Sequence, residues 1–500
     1  MKKRAAINFI ASLIYQITSL FIGLLIPKYY TEVFGSAYNG LNQSASQIMS
    51  LLSILQFGIA ATAIQQMFRY IAVDDSNKTA ALYWETGKQY RKMGYLFLIA
   101  LLPVIILYPF LIKDEVPYTI IVIFLLFRSI SSAMEYFFQA KYSILLIAHN
   151  KSYVIYIINI VLLFFSTILH IIVLFTFQNI ILYQGVALLS TLLRLIIVSS
   201  YIKHHFPYIS MKTETSGLVK DSQRKDALIS EIAGMIINST DLLVLSTFSG
   251  LVSASIYSVY SFVTSGIGNV LSSSREAVFA GIGKTYYSDS SEFTNKMDRF
   301  ESIYIFLTFY LYSTAILLFR PFIAVYTAKM DANYLFAGFP VLFILSRILV
   351  NVRIPSIIAI NTAGHFKQVK KYAVIEAIIN VVLSIALVKP LGIYGVLVGT
   401  IVGAAYRTPL LIGYTNKEIM RRKSTLYWKK ILLWIPIFIV CYLLSILFPI
   451  GSTTLWDWLK MALIVAIVLL VTCLLWLKVF DNKTLVEILS SVKKVSRRKK

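Results

Sequence analysis

The chain has 500 residues, of which 58% are hydrophobic and only 14% charged, against ~45–50% apolar and ~25% charged in a soluble domain. That balance excludes a soluble globular protein and indicates an integral membrane protein. The net charge of +24 would suggest nucleic-acid binding in a soluble chain, but its placement argues otherwise.

Apolar runs of roughly 18 to 24 residues recur from end to end, each long enough as a helix to cross ~30 Å of hydrocarbon. The alternating ten-residue segments of a membrane barrel are absent, so helices are the expected spanning form. Lys2, Lys3 and Arg4 precede the first run as in a signal peptide. That run is too long and has no small-residue cleavage site, so it is read as a retained span. Six spans are predicted at 5–26, 39–62, 93–112, 118–138, 154–176 and 180–202. Six more follow at 228–248, 251–272, 302–322, 334–358, 372–388 and 391–412, then two at 431–448 and 456–479. The expected fold is all-α, with 14 transmembrane helices.

Counting Lys and Arg loop by loop tests that reading. The termini and the loops on one side hold roughly 36 of the 47 basic residues, the positive-inside asymmetry expected of a correct span count. The other side holds only Lys28, Lys113, Arg320, Lys329 and Lys389. Both termini are therefore expected in the cytoplasm. Most of the charge becomes a headgroup-facing surface, and no nucleic-acid partner is expected.

The halves echo one another at an interval of about 220 residues. The stretch 149–194 answers 365–407. Phe124-Leu125-Leu126-Phe127-Arg128 answers Phe343-Ile344-Leu345-Ser346-Arg347, and Tyr38 answers Tyr257. Six spans per half is an even number, so both halves enter the bilayer in the same orientation, a parallel pseudo-two-fold repeat. The expected organisation is an N-lobe at 1–203, a cytoplasmic linker at 204–227 and a C-lobe at 228–414. Two extra, lipid-facing spans lie within 415–480, and a basic cytoplasmic tail occupies 481–500, with 492–500 a solvated segment.

Polar residues recur at three- and four-residue steps on four spans, placing them on single helical faces. Gln16 lies on the first, Asn42, Gln43 and Gln47 on the second, Asn238 and Asp241 on the seventh, and Ser261 and Asn269 on the eighth. One stripe alone reads as helix packing. Four at repeat-related positions favour a wet cavity lined by these spans. Charge inside a span costs ~2.5–3.5 kcal/mol at the bilayer centre, yet Arg128, Arg347, Arg194, Arg407 and Arg353 lie there against Glu135, Glu231, Asp241 and Glu376. Pairing is the bland alternative: Glu135 falls seven residues after Arg128 on one face, and Glu376 is near a basic loop. Arginines still exceed carboxylates, and guanidinium forks hold phosphate oxygens in bidentate fashion. His170 reads as an interfacial residue rather than a ligand.

No nucleotide loop, metal-binding helix motif or nucleophile elbow is present, so neither an enzyme nor a cofactor is expected. Cys441 and Cys473, inside late apolar runs, suggest neither a disulfide framework nor a metal site. Gly392 and Gly395 read as turn and close-packing glycines.

Asn238-Ser239-Thr240-Asp241 with Phe248-Ser249-Gly250 and Tyr257, then Gly364-His365-Phe366-Lys367, Asn380 and Gly392-Ile393-Tyr394-Gly395, resembles the polysaccharide (O-antigen type, Wzx-like) flippases. These belong to the multidrug, oligosaccharidyl-lipid and polysaccharide exporter superfamily. Pro27, Gly35, Tyr38 and Gly40 are spaced like that family's first loop. The resemblance implies a fourteen-helix, two-lobed, monomeric transporter of the bacterial plasma membrane. It would move a polyprenyl-pyrophosphate-linked oligosaccharide outward by alternating access, for capsule or O-antigen export. Cavity cations would engage the pyrophosphate, the role for which the five arginines are candidates. Asp241 is a candidate for Na+ or H+ coupling, or a carboxylate that caps or pairs a neighbour. A multidrug cation exporter of the same superfamily is the nearest rival, although its site should be acidic. A membrane-embedded polysaccharide polymerase or ligase should show a long extracytoplasmic loop, which is lacking.

Overall fold

A computed structural model of the chain describes residues 2–56, 58–112, 116–210, 224–288, 290–447, 451 and 454–497. All of its regular structure is helical; no strand occurs among the described residues. The chain divides into two compact units, 1–255 and 256–500.

The first unit holds α1 (Lys2–Phe34), α2 (Ser36–Leu52), α3 (Ile59–Ala72), α4 (Ser76–Leu111), α5 (Tyr118–Met134), α6 (Ala140–Ala148), α7 (Ser152–Ile172), α8 (Ile180–His205) and α9 (Arg224–Phe248). The first turn of α10 (Leu251–Ser288) completes it. The second unit holds the rest of α10, α11 (Ser290–Tyr326), α12 (Phe339–Asn351), α13 (Ile354–Ala363), α14 (Phe366–Leu391), α15 (Ile393–Tyr414), α16 (Thr425–Leu432), α17 (Ile435–Leu447), α18 (Leu455–Phe480) and α19 (Asn482–Arg497).

Thirteen helices among the described residues are long and apolar enough to cross a membrane, so the chain is a multi-pass membrane protein. The second expected span, 39–62, is absent from that set. Its polar stripe lowers its hydropathy, and the helix is interrupted by a tight turn at Ser53–Gln56 and by Gly58 at φ 80° before α3 begins. Several helices also outrun their expected spans. The stretch 273–301, between the expected spans 251–272 and 302–322, is helical, in α10 up to Ser288 and in α11 from Ser290.

Local chemistry sets many helix ends. The Asp75 carboxylate accepts from the Lys78 amide at 2.9 Å to cap α4, and the Asn179 side chain accepts from the Ile181 and Leu182 amides to cap α8. Such caps satisfy donors that an α-helix leaves unpaired at its start. Gly40 explains itself by contact, since a Cβ there would lie 1.8 Å from the Leu251 carbonyl oxygen. Between α14 and α15 the turn glycine is Gly392, at φ 56°. Gly395, Gly399 and Gly403 then bring the two helices together: their added Cβ atoms would meet the Leu387 oxygen at 2.2 Å, the Ser384 hydroxyl at 2.7 Å and the Glu376 oxygen at 3.1 Å. Small residues at four-residue spacing are how membrane helices gain close backbone contact.

The two compact units meet at 255/256; α9 packs along α2 within the first unit, and Tyr108 on α4 donates to Ser246 on α9 at 3.1 Å. Most of the expected linker lies outside the described residues. Its start is anchored, with the Trp84 indole donating to the Ile209 oxygen at 2.9 Å. Up to Arg497 the tail forms α19, which packs on α11 and α18. Asp481 caps it through the Thr484 amide and hydroxyl, and Arg299 donates to the Glu487 backbone oxygen at 2.8 Å. The two extra helices α17 and α18 each bury one narrow face on α11, including Cys441 and Cys473, and leave the rest of their apolar surface exposed.

Candidate functional site

Arg128 projects from α5 in the first unit, where its guanidinium donates to the Asn42 side-chain oxygen on α2. It lies beside Tyr30 of α1 and Tyr183 of α8, whose rings pack against each other at 4.8 Å. Its Nε is buried and has no hydrogen-bond partner. The pairing with Glu135 does not form. The helix passes into a one-turn π-helical segment at Glu135–Gln139, and Glu135 is exposed without an ion pair to Arg128. His170 stacks on Tyr183 at 4.1 Å, joining this aromatic patch.

Arg347, the repeat counterpart on α12, is half-buried. Its guanidinium sits 5.4 Å from the centre of the Phe343 ring and beside Tyr312. Its Nε is also buried without a partner. Neither Arg128 nor Arg347 is paired with a carboxylate among the described residues. Each is held by amide or aromatic neighbours, which orient a guanidinium without cancelling its charge.

Arg353 and Arg407 are arranged differently. Glu376 of α14, 1% exposed, accepts from Arg353 at 2.7 Å and from Arg407 of α15 at 2.8 Å. Arg353 occupies the break between α12 and α13. Glu376 therefore meets two buried arginines and not a basic loop, because the glycine contacts draw α14 and α15 together at that level. Two guanidiniums against one carboxylate leave a net charge of +1, and both Nε groups are buried without partners.

The remaining candidates scatter. Arg194 on α8 is half-buried and has no ion pair among the described residues. Gln16 is exposed on α1 and donates to Ser12 at 3.0 Å. Gln43 and Gln47 are half-buried beside Asn42 on α2. Asn238 is exposed on α9, while Asp241, one turn on, is 3% exposed. On α10, Ser261 is half-buried and Asn269 exposed, and their backbone oxygens accept from the hydroxyls of Thr264, Ser265, Ser272 and Ser273. No group of three or more His, Cys, Asp or Glu able to hold a metal occurs among the described residues. Sequence reasoning missed Tyr30, which falls between two expected spans, and Tyr183 and Tyr312, aromatic residues in apolar runs that no periodicity distinguishes.

No protein-family model and no curated protein matches the chain by sequence. Solved structures do match it. One is the lipid II flippase MurJ in its inward closed conformation, at TM-score 0.57 and 15% identity over 95% of this chain and 99% of that one. Another is the MATE multidrug transporter DinF-BH, at TM-score 0.60 and 12% identity over 84% and 97%. A third is an inward-facing multidrug resistance MATE family transporter of the MOP superfamily, at TM-score 0.56 and 12% identity over 86% and 96%. At these identities the likeness is one of fold: the chain folds as these transporters do.

Proposed function

We propose that this protein is a flippase that moves a polyprenyl-pyrophosphate-linked oligosaccharide across the bacterial plasma membrane by alternating access, for cell-surface polysaccharide export. The observation that carries the reading is the pair Arg128 and Arg347. They are repeat-equivalent guanidiniums within membrane-spanning helices, each held by uncharged neighbours and lacking a carboxylate partner among the described residues. Such a group favours a polyanion and disfavours an organic cation. The similarity of fold to a lipid II flippase supports a lipid-linked cargo. Arg194 is a further candidate contact. Arg353 and Arg407 contribute through the residual positive charge of their shared cluster with Glu376. Polar faces on α1, α2 and α9 of the first unit, with Gln16, Asn42, Gln43, Gln47 and Asn238, and separately on α10 of the second unit, with Ser261 and Asn269, are the candidate surfaces for the sugars.

A second reading, a cation-coupled multidrug exporter, is favoured by one observation: Asp241 is a buried carboxylate inside a candidate span. It is supported equally by the fold similarity to MATE transporters. Under the flippase reading, Asp241 remains a candidate for Na+ or H+ coupling. Reconstitution separates the two. Proteoliposomes that translocate a polyprenyl-pyrophosphate-linked oligosaccharide and ignore an organic dye cation support the flippase. The opposite preference supports the exporter.

A further inference from the structure

A cavity of about 340 Å³ opens in the second unit among α10, α11, α12 and α17, within the ~300–1,000 Å³ typical of ligand sites. Ile316, Phe336, Val341 and Ile446 make its walls largely apolar. Two of its hydroxyl protons are already engaged: Tyr260 donates to the Tyr334 backbone oxygen at 2.7 Å, and Ser445 to the Tyr442 backbone oxygen at 2.6 Å. The charged group on the wall is Arg320, which is exposed and has no carboxylate partner among the described residues.

The position of Arg320 along α11 narrows the ligand. Near the other end of that helix, Asp298 and Glu301 are bound by Arg422 and Lys430. The 22 residues from 298 to 320 rise about 33 Å as an α-helix, close to the ~30 Å hydrocarbon thickness of a bilayer. One charged cluster therefore lies at one membrane boundary, and Arg320 lies near the opposite boundary. A solvent-reaching cation above an apolar recess at that depth matches a molecule with a phosphate at the interface and a hydrocarbon chain below it. A free inorganic anion would leave the apolar walls unused, and an uncharged lipid would leave Arg320 unused.

We infer that this cavity binds the phosphate headgroup of a membrane lipid, with Arg320 holding the phosphate and the apolar walls receiving the first part of its chain. This site is separate from Arg128 and Arg347, and the inference stands whichever transport reading holds.

The test uses the purified full-length protein in detergent and a phosphatidic acid carrying a photoactivatable diazirine near the start of one acyl chain, with labelled peptides mapped afterwards. Labelling is expected within 335–341 and 442–446. A diacylglycerol with the same diazirine chain should label these segments about tenfold less, as should Arg320→Ala with the phosphatidic acid, reflecting loss of a charge-assisted contact. Arg320→Lys should retain an intermediate yield. Val341→Phe, which fills the recess and leaves the charge, should also lower labelling, so the idea remains testable even if Arg320→Ala does not fold. Equal labelling by the diacylglycerol would overturn it, as would an unchanged yield in folded Arg320→Ala. Complete displacement by low-millimolar inorganic phosphate would instead show a free-phosphate site and overturn the lipid assignment.

Discussion

The Glu376 carboxylate lies 2.8 Å from the Arg407 guanidinium, on the partner helix of a hairpin closed by glycines. Its other oxygen is 2.7 Å from Arg353 at the α12–α13 break. One carboxylate thus ties three helices of the second unit at a level where water is scarce.

Removing that carboxylate should be costly, since breaking a buried ion cluster strands the remaining charges, at about 3–5 kcal/mol. Glu376→Gln is expected to lower the melting temperature in detergent by several degrees. A triple replacement of Glu376, Arg353 and Arg407 by apolar residues of similar volume should recover much of the loss. A Glu376→Gln protein as stable as the parent would show that the cluster does not hold these helices.

The glycine contacts predict a contrast within one helix. Gly395→Ala would drive a methyl into the Leu387 carbonyl, whereas a Cβ at Gly413 meets nothing within 4 Å. Gly395→Ala should therefore sharply reduce folded yield by fluorescence-detected size exclusion, and Gly413→Ala should leave it unchanged.

Near the start of α11, Glu301 is fully buried between Arg422 and Lys430, while the exposed Lys483 reaches Asp298 only at 3.4 Å. Arg422→Ala should cost about 3 kcal/mol by uncovering part of a buried charge. Lys483→Ala should give no resolvable shift, as is usual for surface pairs. Thermal denaturation of both variants checks the ordering.

His149 links stability to pH. It lies just past the predicted span, packed on Phe206, with its ring nitrogens near the Leu145 oxygen and the Tyr208 hydroxyl. Burial lowers its pKa below the ordinary 6.5, an effect the Leu145 contact partly offsets and the nearby Lys151 reinforces. The folded chain then binds this proton less readily than the unfolded chain. The contribution is fully present above pH 6.5 and is lost as pH falls from 6.5 through the lower, folded-state value. His149→Gln should flatten the melting temperature against pH over that acid window and leave the neutral range unchanged.

How much was legible in the sequence depended on distance along the chain. Membrane spans are local runs, so all of them but the interrupted second one were readable in order, as was the Gly392 turn. The repeat singled out Arg128 and Arg347 because their flanking residues match. Their surroundings were not readable: Arg128 meets Asn42 from 86 residues away, and no spacing encodes that. Glu376 could be noticed as an awkward charge, but its partners 23 and 31 residues distant depend on how closely α14 and α15 approach. The same holds for α19, whose pattern reads equally as a solvated basic tail until Asp481 and Arg299 anchor it.

The central claim is an anion-binding role for Arg128 and Arg347, and translocation in proteoliposomes tests it most directly. The protein would be reconstituted with a fluorescent polyprenyl-pyrophosphate-linked oligosaccharide and the lipid reaching the opposite leaflet measured over time. The account predicts robust translocation by the parent and a loss of at least about tenfold in an Arg128→Ala, Arg347→Ala variant that melts like the parent. Full translocation by that double variant would contradict it.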